Sequence, residues 1–338
     1  MMALDDFMPS GRKRVGWIDI CKGICILLVV LLHSTSYYKF TGGVVPDPVN
    51  RLANGLAPIR MPSLIFLSGL MINFSLRKGT GPFLVRRATI LIWPYILWNI
   101  IWAFASDNVA KMTDGYWWLG NWHMWFLFFI IVYSLVAVII PRKYHAMFAI
   151  YAYLLSLAMD DGTKYGERLF FFMSLFMIGS AVGQNLPRLE RLLARGKVLL
   201  LLPAGIGVLI YSALYGPVRY SPHDYGMIAI IVFLTMALCY RIADGTPWPF
   251  LATMGRNSLT IYMVHMPVIA LVMSGYRSAG MDYFYPVFLT SFLLSMAVSI
   301  TMIRLRKSVP VVDWLFAFPL KRKAMPGGAS RPIGARMS

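Results

Sequence analysis

Ten apolar stretches, separated by short polar segments, occupy most of the chain. Each is about 15 to 23 residues long, close to the length that a helix needs to cross the hydrocarbon core of a bilayer. We therefore predict an all-α, polytopic membrane protein that forms a bundle of about ten transmembrane helices. The predicted spans are 17–38, 56–76, 84–105, 122–140, 145–159, 169–186, 198–215, 225–242, 257–275 and 283–303. The fifth is short for a full crossing, and a re-entrant segment there would reverse the orientation of every later helix.

The distribution of basic residues gives this bundle an orientation. Lys and Arg concentrate on the cytoplasmic side of short loops, and here they are dense in every second loop. The outer segments hold only eight of them, Arg60 among them. Both termini are therefore predicted to be cytoplasmic: a basic N-terminus at 1–16, a membrane domain at 17–305, and a basic, largely disordered tail at 306–338.

Composition and charge agree with a membrane protein and argue against a nucleic-acid-binding protein. The 338 residues are 58% hydrophobic and only 14% charged, with a mean hydropathy of +0.64, which is outside the usual range of soluble globular chains. The formal net charge is +18. Membrane orientation and attraction to anionic lipids explain that charge, so the lipid bilayer is the expected partner and nucleic acid is not.

Ionisable residues interrupt the first apolar run. His33 is deep within it, and Asp19 and Lys22 lie at its start. Such groups are costly in lipid and mark a pathway or a site. Lys22 and His33 are eleven positions apart, so at about 100° per residue they return to nearly the same helix face, about 16 Å apart along the axis. We therefore expect the Lys22 ammonium at the membrane edge and the His33 imidazole deeper in the membrane, on the same face of the helix.

Five blocks in which polar or small residues interrupt the helices follow one another along the chain. They are Asp19 to Ser34, Arg60 to Gly69, Arg86 to Tyr95, Trp122 to Leu127, and Gly255 to His265. Taken together, this series resembles the acyltransferase 3 family of integral membrane acyltransferases, and within it the branch of fucose 4-O-acetylases and exopolysaccharide O-acetyltransferases. The resemblance covers about residues 14 to 305.

The individual motifs of that family have counterparts here. Lys22 and His33 match a basic residue that is followed after ten residues by a histidine. The segment from Met61 to Gly69 is similar to Met-Pro-x-x-x-Phe-x-x-Ser-Gly, and the segments around Trp125 and His265 are similar to the family's Trp-Phe-Leu and late Asn-Ser-x-x-x-Tyr-x-x-His blocks. A second arginine that often precedes the proline of the third block is absent.

The resemblance implies an acyl-CoA-dependent O-acyltransferase in a bacterial plasma (inner) membrane. Acetyl-CoA would be the acyl donor, with no permanently bound cofactor. The acceptor would be a hydroxyl of a cell-envelope or exopolysaccharide sugar, free or lipid-linked, and polysaccharide assembly proteins are possible partners. No metal is expected, because the histidines are scattered and carboxylates are nearly absent from the spans.

Acyl transfer to a hydroxyl requires a base, oxyanion donors and cations for the donor phosphates. We expect His33 to be the general base and Lys22 its cationic partner. The other candidates are Ser68 and His265 as catalytic relay or oxyanion groups, Asn257 beside them, Arg14, Arg86 and Arg87 for phosphates, Asp19 next to Lys22, and His123 and Trp125 at the outer mouth for the acceptor.

Several of these residues also have a purely structural interpretation. His33 can serve as a hydrogen-bonding contact between helices, and Lys22 as a snorkelling anchor. Arg86 and Arg87 can serve as topology determinants, and Ser68-Gly69 as a small-residue helix packing contact. His123 can be a bystander at the interface.

Two other functions remain open from the sequence. In a transporter or flippase of an envelope precursor, His33, Lys22 and His265 would form a polar pathway. In a related acyltransferase, the acceptor would be a lipid, peptidoglycan or a small metabolite.

Overall fold

The structure is a computed structural model that describes residues 16–77, 79–120, 122–159, 165–218, 220–245 and 248–319. Regular structure in these ranges is helical throughout, as the apolar pattern predicts. The helices are α1 (Gly16–Phe40), α2 (Asp47–Gly55), α3 (Ala57–Leu76), α4 (Thr80–Arg87), α5 (Trp93–Ala105), α6 (Trp125–Ile139), α7 (His145–Ala158), α8 (Gly166–Gly183), α9 (Leu186–Ala194), α10 (Leu202–Tyr215), α11 (Tyr225–Gly245), α12 (Pro249–Arg256), α13 (Ser258–Ser278), α14 (Phe284–Ser308) and α15 (Pro310–Trp314).

Eight of the ten predicted spans correspond to helical stretches long and apolar enough to cross a membrane. The fourth and fifth form α6 and α7, which are 15 and 14 residues long and meet at a bend of 115°. At about 1.5 Å per residue each falls short of a hydrocarbon core about 30 Å thick. By length and composition the described residues therefore provide eight crossings, or nine if the bent pair is one span.

The orientation of the termini depends on this bent pair. Eight or ten crossings would leave both ends of the bundle on one side of the membrane, whereas nine would place them on opposite sides. The cytoplasmic location of both termini thus stays a prediction, and residues 1–15 and 320–338 lie outside the described residues.

Helix α1 is central and packs against α3, α11, α12, α13 and α14. Its close approach to α12 depends on two glycines. A Cβ added at Gly23 would collide with the carbonyl of Leu251, and one at Gly255 would collide with the carbonyl of Asp19. Small residues let transmembrane helices come into backbone contact, so this pair fixes the Lys22 end of α1.

A second small-residue contact joins α3 to α8. Cβ atoms at Gly69, Gly179 and Gly183 would each meet the backbone of the facing helix, Gly69 at the carbonyl of Phe176. The packing interpretation of the Ser68-Gly69 pair is therefore confirmed for Gly69.

The start of the predicted tail is folded. Helix α14 continues to Ser308 and α15 follows, and the indole nitrogens of Trp93 and Trp98 donate hydrogen bonds to the carbonyls of Trp314 and Leu315, at 2.7 and 2.8 Å. Arg306 forms an ion pair with Asp313, 2.8 Å from nitrogen to oxygen. Residues 306–319 thus fold back onto α5.

Candidate active site

Two of the predicted residues, from helices far apart in the chain, meet inside the bundle. Nδ1 of His33 on α1 lies 2.7 Å from Nε2 of His265 on α13. The two imidazole rings are nearly parallel, at 16°, with their centroids 5.0 Å apart. His265 is fully buried, whereas His33 is partly buried.

Hydrogen bonding around the pair assigns the position of its protons. Nδ1 of His265 lies 3.0 Å from the carbonyl oxygen of Ile261. A carbonyl only accepts, so Nδ1 of His265 carries a hydrogen and, in the neutral ring, its Nε2 is the acceptor. Nδ1 of His33 must then be the donor of the 2.7 Å bond. This tautomer leaves the lone pair on Nε2 of His33, the nitrogen that faces away from the partner, available to take a proton.

His123 joins this pair from a third part of the chain. Its ring lies edge-on to that of His265, with centroids 5.8 Å apart, and 5.0 Å from the ring of Trp102. The Tyr262 hydroxyl donates a hydrogen bond to the carbonyl of His123. His123 is 5% exposed, and its Nδ1 has no hydrogen-bond partner among the described residues.

The burial of His123 differs from the exposed outer position that the sequence predicts. It follows a loop of short 3-10 turns and itself lies in such a turn, Trp122–Met124, immediately before α6. That turn folds its side chain inward against α5 and α13. His123 is therefore buried beside His265, and its place at the outer mouth stays a prediction.

Arg60 is a buried cation that the charge pattern groups with the outer basic residues. It lies on α3 and is only 3% exposed. Its guanidinium lies within electrostatic range of His33 and beside the hydroxyl of Tyr220. The available signal was its position directly before Met61-Pro62, inside an apolar segment where a charge is costly.

Lys22 and Asp19 occupy the other end of α1, and both are partly buried. Both have interacting partners in the structure. The rise of α1 separates Lys22 from His33 by about 16 Å, so Lys22 does not contact the histidine pair.

The basic residues on α4 are also partly buried. The Arg87 guanidinium lies 4.9 Å from the ring centroid of Phe83, a cation–π contact, and Arg86 has an interacting partner. Their roles in phosphate binding or in membrane topology stay predictions. Arg14 lies outside the described residues.

Within the part of the chain that the structure describes, three further candidates do not contact the histidine pair. The Ser68 hydroxyl donates to the carbonyl of Leu64 at 2.7 Å, and the Asn257 amide donates to the carbonyl of Thr253 at 2.9 Å. Trp125 stacks on Phe172 with centroids 5.4 Å apart. The polar groups of Ser68 and Asn257 are thus used in local hydrogen bonds, and the ring of Trp125 in aromatic packing.

The site can be compared with known families once this geometry is established. The family model for an acyltransferase domain, acyltransferase 3, matches residues 15–304. The chain belongs to the acyltransferase 3 family. Together with its long apolar helices, this makes the protein an integral, multi-pass membrane acyltransferase.

A curated relative gives a weaker similarity. The chain is 26% identical to the inner membrane protein YcfT of Escherichia coli (strain K12), over 44% of this chain and 50% of YcfT. The chain thus spans half the length of that relative. No solved structure matches the chain.

Proposed function

We propose that this membrane acyltransferase moves an acyl group, in the simplest case acetyl, from acyl-CoA to a hydroxyl of a cell-envelope or exopolysaccharide sugar. The observation that carries the proposal is the His33–His265 pair, because its hydrogen bonds leave a basic nitrogen, Nε2, on His33. The similarity to an inner membrane protein supports a location in the inner membrane.

In the proposed reaction, Nε2 of His33 takes the proton of the acceptor hydroxyl as its oxygen attacks the thioester carbonyl carbon. The tetrahedral intermediate then collapses, the carbon–sulfur bond breaks, and the thiolate leaves with the proton that His33 returns. His265 acts as a positioning residue. Its Nε2, 2.7 Å from Nδ1 of His33, holds the ring and stabilises the imidazolium that forms, as an acceptor on the far nitrogen does for other catalytic histidines.

The donor would be held at the opposite end of α1. Lys22 lies on nearly the same helix face as His33, about 16 Å away, and Arg86 and Arg87 supply further cations. Guanidinium and ammonium groups bind phosphate through charge-assisted hydrogen bonds. We infer that these residues hold the phosphates of the coenzyme while its thioester extends toward His33.

A cleft of about 500 Å³ at the C-terminal end of α1 supports a carbohydrate acceptor. Its lining includes Tyr38, Asp282, Tyr283 and Tyr285, and Tyr283 and Tyr285 are 69% and 57% exposed. Tyr rings present an apolar face with a polar tip, and a carboxylate can accept hydrogen bonds from sugar hydroxyls. Tyr38 is five positions after His33, about 7 to 8 Å along the helix.

The experiment measures O-acetyl content of envelope and extracellular polysaccharide in cells that lack the protein. Complementation uses wild type, His33→Ala, and His145→Gln, each at the same membrane abundance. His145 is a matched control because it is a buried histidine, hydrogen-bonded to Ser180 at 2.8 Å, that is not part of the pair.

We expect wild type and His145→Gln to restore acetylation and His33→Ala to fail. Full restoration by His33→Ala would remove the proposed base. Acetylation that does not change when the protein is absent would contradict the carbohydrate acceptor and direct the search to lipid or small-metabolite acceptors and to transport.

A further inference from the structure

A π-helical turn, Ala88–Ile92, directly follows the arginine pair at the end of α4 and leads into α5. Such turns are rare, and they are frequent at functional sites. In a π-turn each N–H bonds to the carbonyl five residues earlier, as the N–H of Trp93 does to Ala88. The next donor in the series would belong to Pro94, which has no N–H. The helix itself therefore leaves the carbonyl of Thr89 without that bond.

The C-terminal segment supplies the missing donor. The backbone N–H of Phe318 donates to the carbonyl of Thr89 at 3.0 Å, and the Thr89 hydroxyl donates to the carbonyl of Arg86 at 2.9 Å. The rings of Phe318 and Trp93 meet at 79°, with centroids 5.0 Å apart. Together with the indole hydrogen bonds described above, these contacts fix residues 309–319, here called the C-terminal strap, along the start of α5. The backbone of Phe318 is thus held within one helical turn of Arg86.

The C-terminal strap lies at the Lys22 end of the bundle. Arg306, near the end of α14, donates a hydrogen bond to the Thr260 hydroxyl in the first turn of α13. Helix α12 ends at Arg256, directly before α13, and packs closely on α1 at Gly23, beside Lys22. The C-terminal strap, the arginine pair and Lys22 are therefore at one end of the bundle, the end where the coenzyme phosphates are proposed to bind.

Phe318 combines a fixed backbone with an accessible ring. The residue is 45% exposed, and its ring contact with Trp93 is edge-to-face, so no parallel ring covers it there. Nucleobases of any kind stack on aromatic side chains, because every base has a π-face. Guanidinium groups bind phosphate through charge-assisted hydrogen bonds. An aromatic ring next to a pair of arginines therefore suits a ligand that carries both a base and phosphates.

We propose that Phe318 and Arg86 form the subsite for the adenine nucleotide of the acyl donor. The adenine ring stacks on Phe318 and Arg86 binds a phosphate, while the pantetheine arm extends along α1 toward His33. The inference rests on the proposed function, in which the donor is acyl-CoA. It makes the C-terminal strap a part of the donor site.

Two fragments of coenzyme A test the two ends of the donor separately. Adenosine bisphosphate carries the adenine ring and phosphates, whereas phosphopantetheine carries the thiol arm without the base. Binding of each radiolabelled fragment, and of coenzyme A itself, to the full-length protein in lipid nanodiscs is measured against empty nanodiscs. Phe318→Leu keeps apolar bulk against Trp93 but removes the ring, and Phe318→Tyr keeps the ring.

Tyr144→Ala is the matched control. Tyr144 is also an exposed aromatic residue, at 42%, and its ring centroid lies 4.8 Å from the ammonium of Lys143. It belongs to a different part of the fold, the turn between α6 and α7. The control therefore removes an aromatic ring beside a cation without touching the proposed subsite.

We expect Phe318→Leu to weaken the binding of coenzyme A and of adenosine bisphosphate at least about fivefold, as the loss of one base–aromatic stack does. Phosphopantetheine binding should not change. Phe318→Tyr and Tyr144→Ala should bind all three ligands like wild type, and Arg86→Gln should weaken adenosine bisphosphate more than Arg86→Lys does. A merely structural role of the strap would weaken all three ligands equally. That result, an equal loss in Tyr144→Ala, or no saturable binding of adenosine bisphosphate would overturn the subsite.

The outcomes also separate this inference from the proposed function. Acetyl transfer to polysaccharide, with coenzyme A binding that Phe318→Leu does not change, would overturn the subsite and keep the proposed function. Phe318-dependent binding of adenosine bisphosphate by a protein that transfers no acyl group to an envelope sugar would keep the subsite and overturn the proposed function.

Discussion

Replacing His265 by Phe tests whether His265 positions His33, the proposed base. The substitution keeps a ring of similar shape but removes the nitrogen that accepts the 2.7 Å hydrogen bond from Nδ1 of His33. If His33 becomes an imidazolium in the transition state, the lost bond is one to a charged group, which contributes about 1.5 to 3 kcal/mol. Because about 1.4 kcal/mol corresponds to a tenfold change in rate, kcat should fall about 10-fold to 150-fold.

The assay follows thioester consumption by the purified protein in liposomes, with acyl-CoA and acceptor both varied. A positioning role predicts a lower kcat with little change in either KM, because the bond strengthens only as His33 gains its proton. It also predicts a changed pH dependence of kcat, since the partner of the titrating ring is lost. His265→Gln, whose amide oxygen can accept the same hydrogen bond, should recover part of the rate.

A purely structural role would give a different pattern. His265→Phe would then lower the amount of folded protein while the folded fraction kept the wild-type kcat and pH profile, and His265→Gln would offer no advantage. That result, or a folded His265→Phe enzyme with kcat within twofold of wild type, would refute the proposed tautomer and the role derived from it.

Three further predictions address other parts of the molecule. Lys22→Gln should raise the KM for acyl-CoA about tenfold with kcat nearly unchanged, while Lys22→Arg should not, if Lys22 contributes uniform binding of the donor phosphates; equal kinetics would support the snorkelling anchor. Gly69→Leu should lower stability by about 3 kcal/mol or more, since its side chain meets the backbone of Phe176, measured as the thermal midpoint in detergent; an unchanged midpoint would contradict the tight α3–α8 contact. Asp313→Asn should speed limited proteolysis of residues 306–319, because it removes the ion pair with Arg306. The effect should be small, since a partly exposed ion pair contributes only about 0.2 to 1 kcal/mol. Protection equal to wild type would show that the Trp hydrogen bonds alone hold this segment.

The helices themselves were largely predictable, because a long apolar run in lipid has to satisfy its backbone within a helix. His33 and His265 were predictable for a similar reason, because an ionisable group within such a run is costly and usually marks a functional site. Their meeting was not predictable. Helical rise gives the depth of a residue, but the direction that its side chain faces depends on how the helices pack. Ser68 and Asn257 were grouped with the histidines on depth alone.

Other features depend on contacts between distant segments. The predicted spans put His123 at the outer mouth, at the start of the fourth span, and a pattern of spans does not show that a short turn directs its side chain inward beside Trp102. Arg60 was assigned to the outer basic residues because the charge rule counts residues by segment and is blind to burial. Residues 306–319 looked like a basic tail since the hydrogen bonds that hold them come from Trp93 and Trp98, more than 200 positions earlier.

The central claim is that His33 is the base of a donor-dependent acyl transfer within the membrane. The most direct measurement is acceptor-dependent loss of the acyl-CoA thioester in proteoliposomes that contain wild type, His33→Ala or His145→Gln. A missing general base typically costs about 10² to 10⁴ in rate, so we predict wild-type and His145→Gln activity of similar size and at least a hundredfold loss in His33→Ala. Equal thioester loss in all three proteins, or movement of acceptor across the membrane without any loss of donor, would contradict the account.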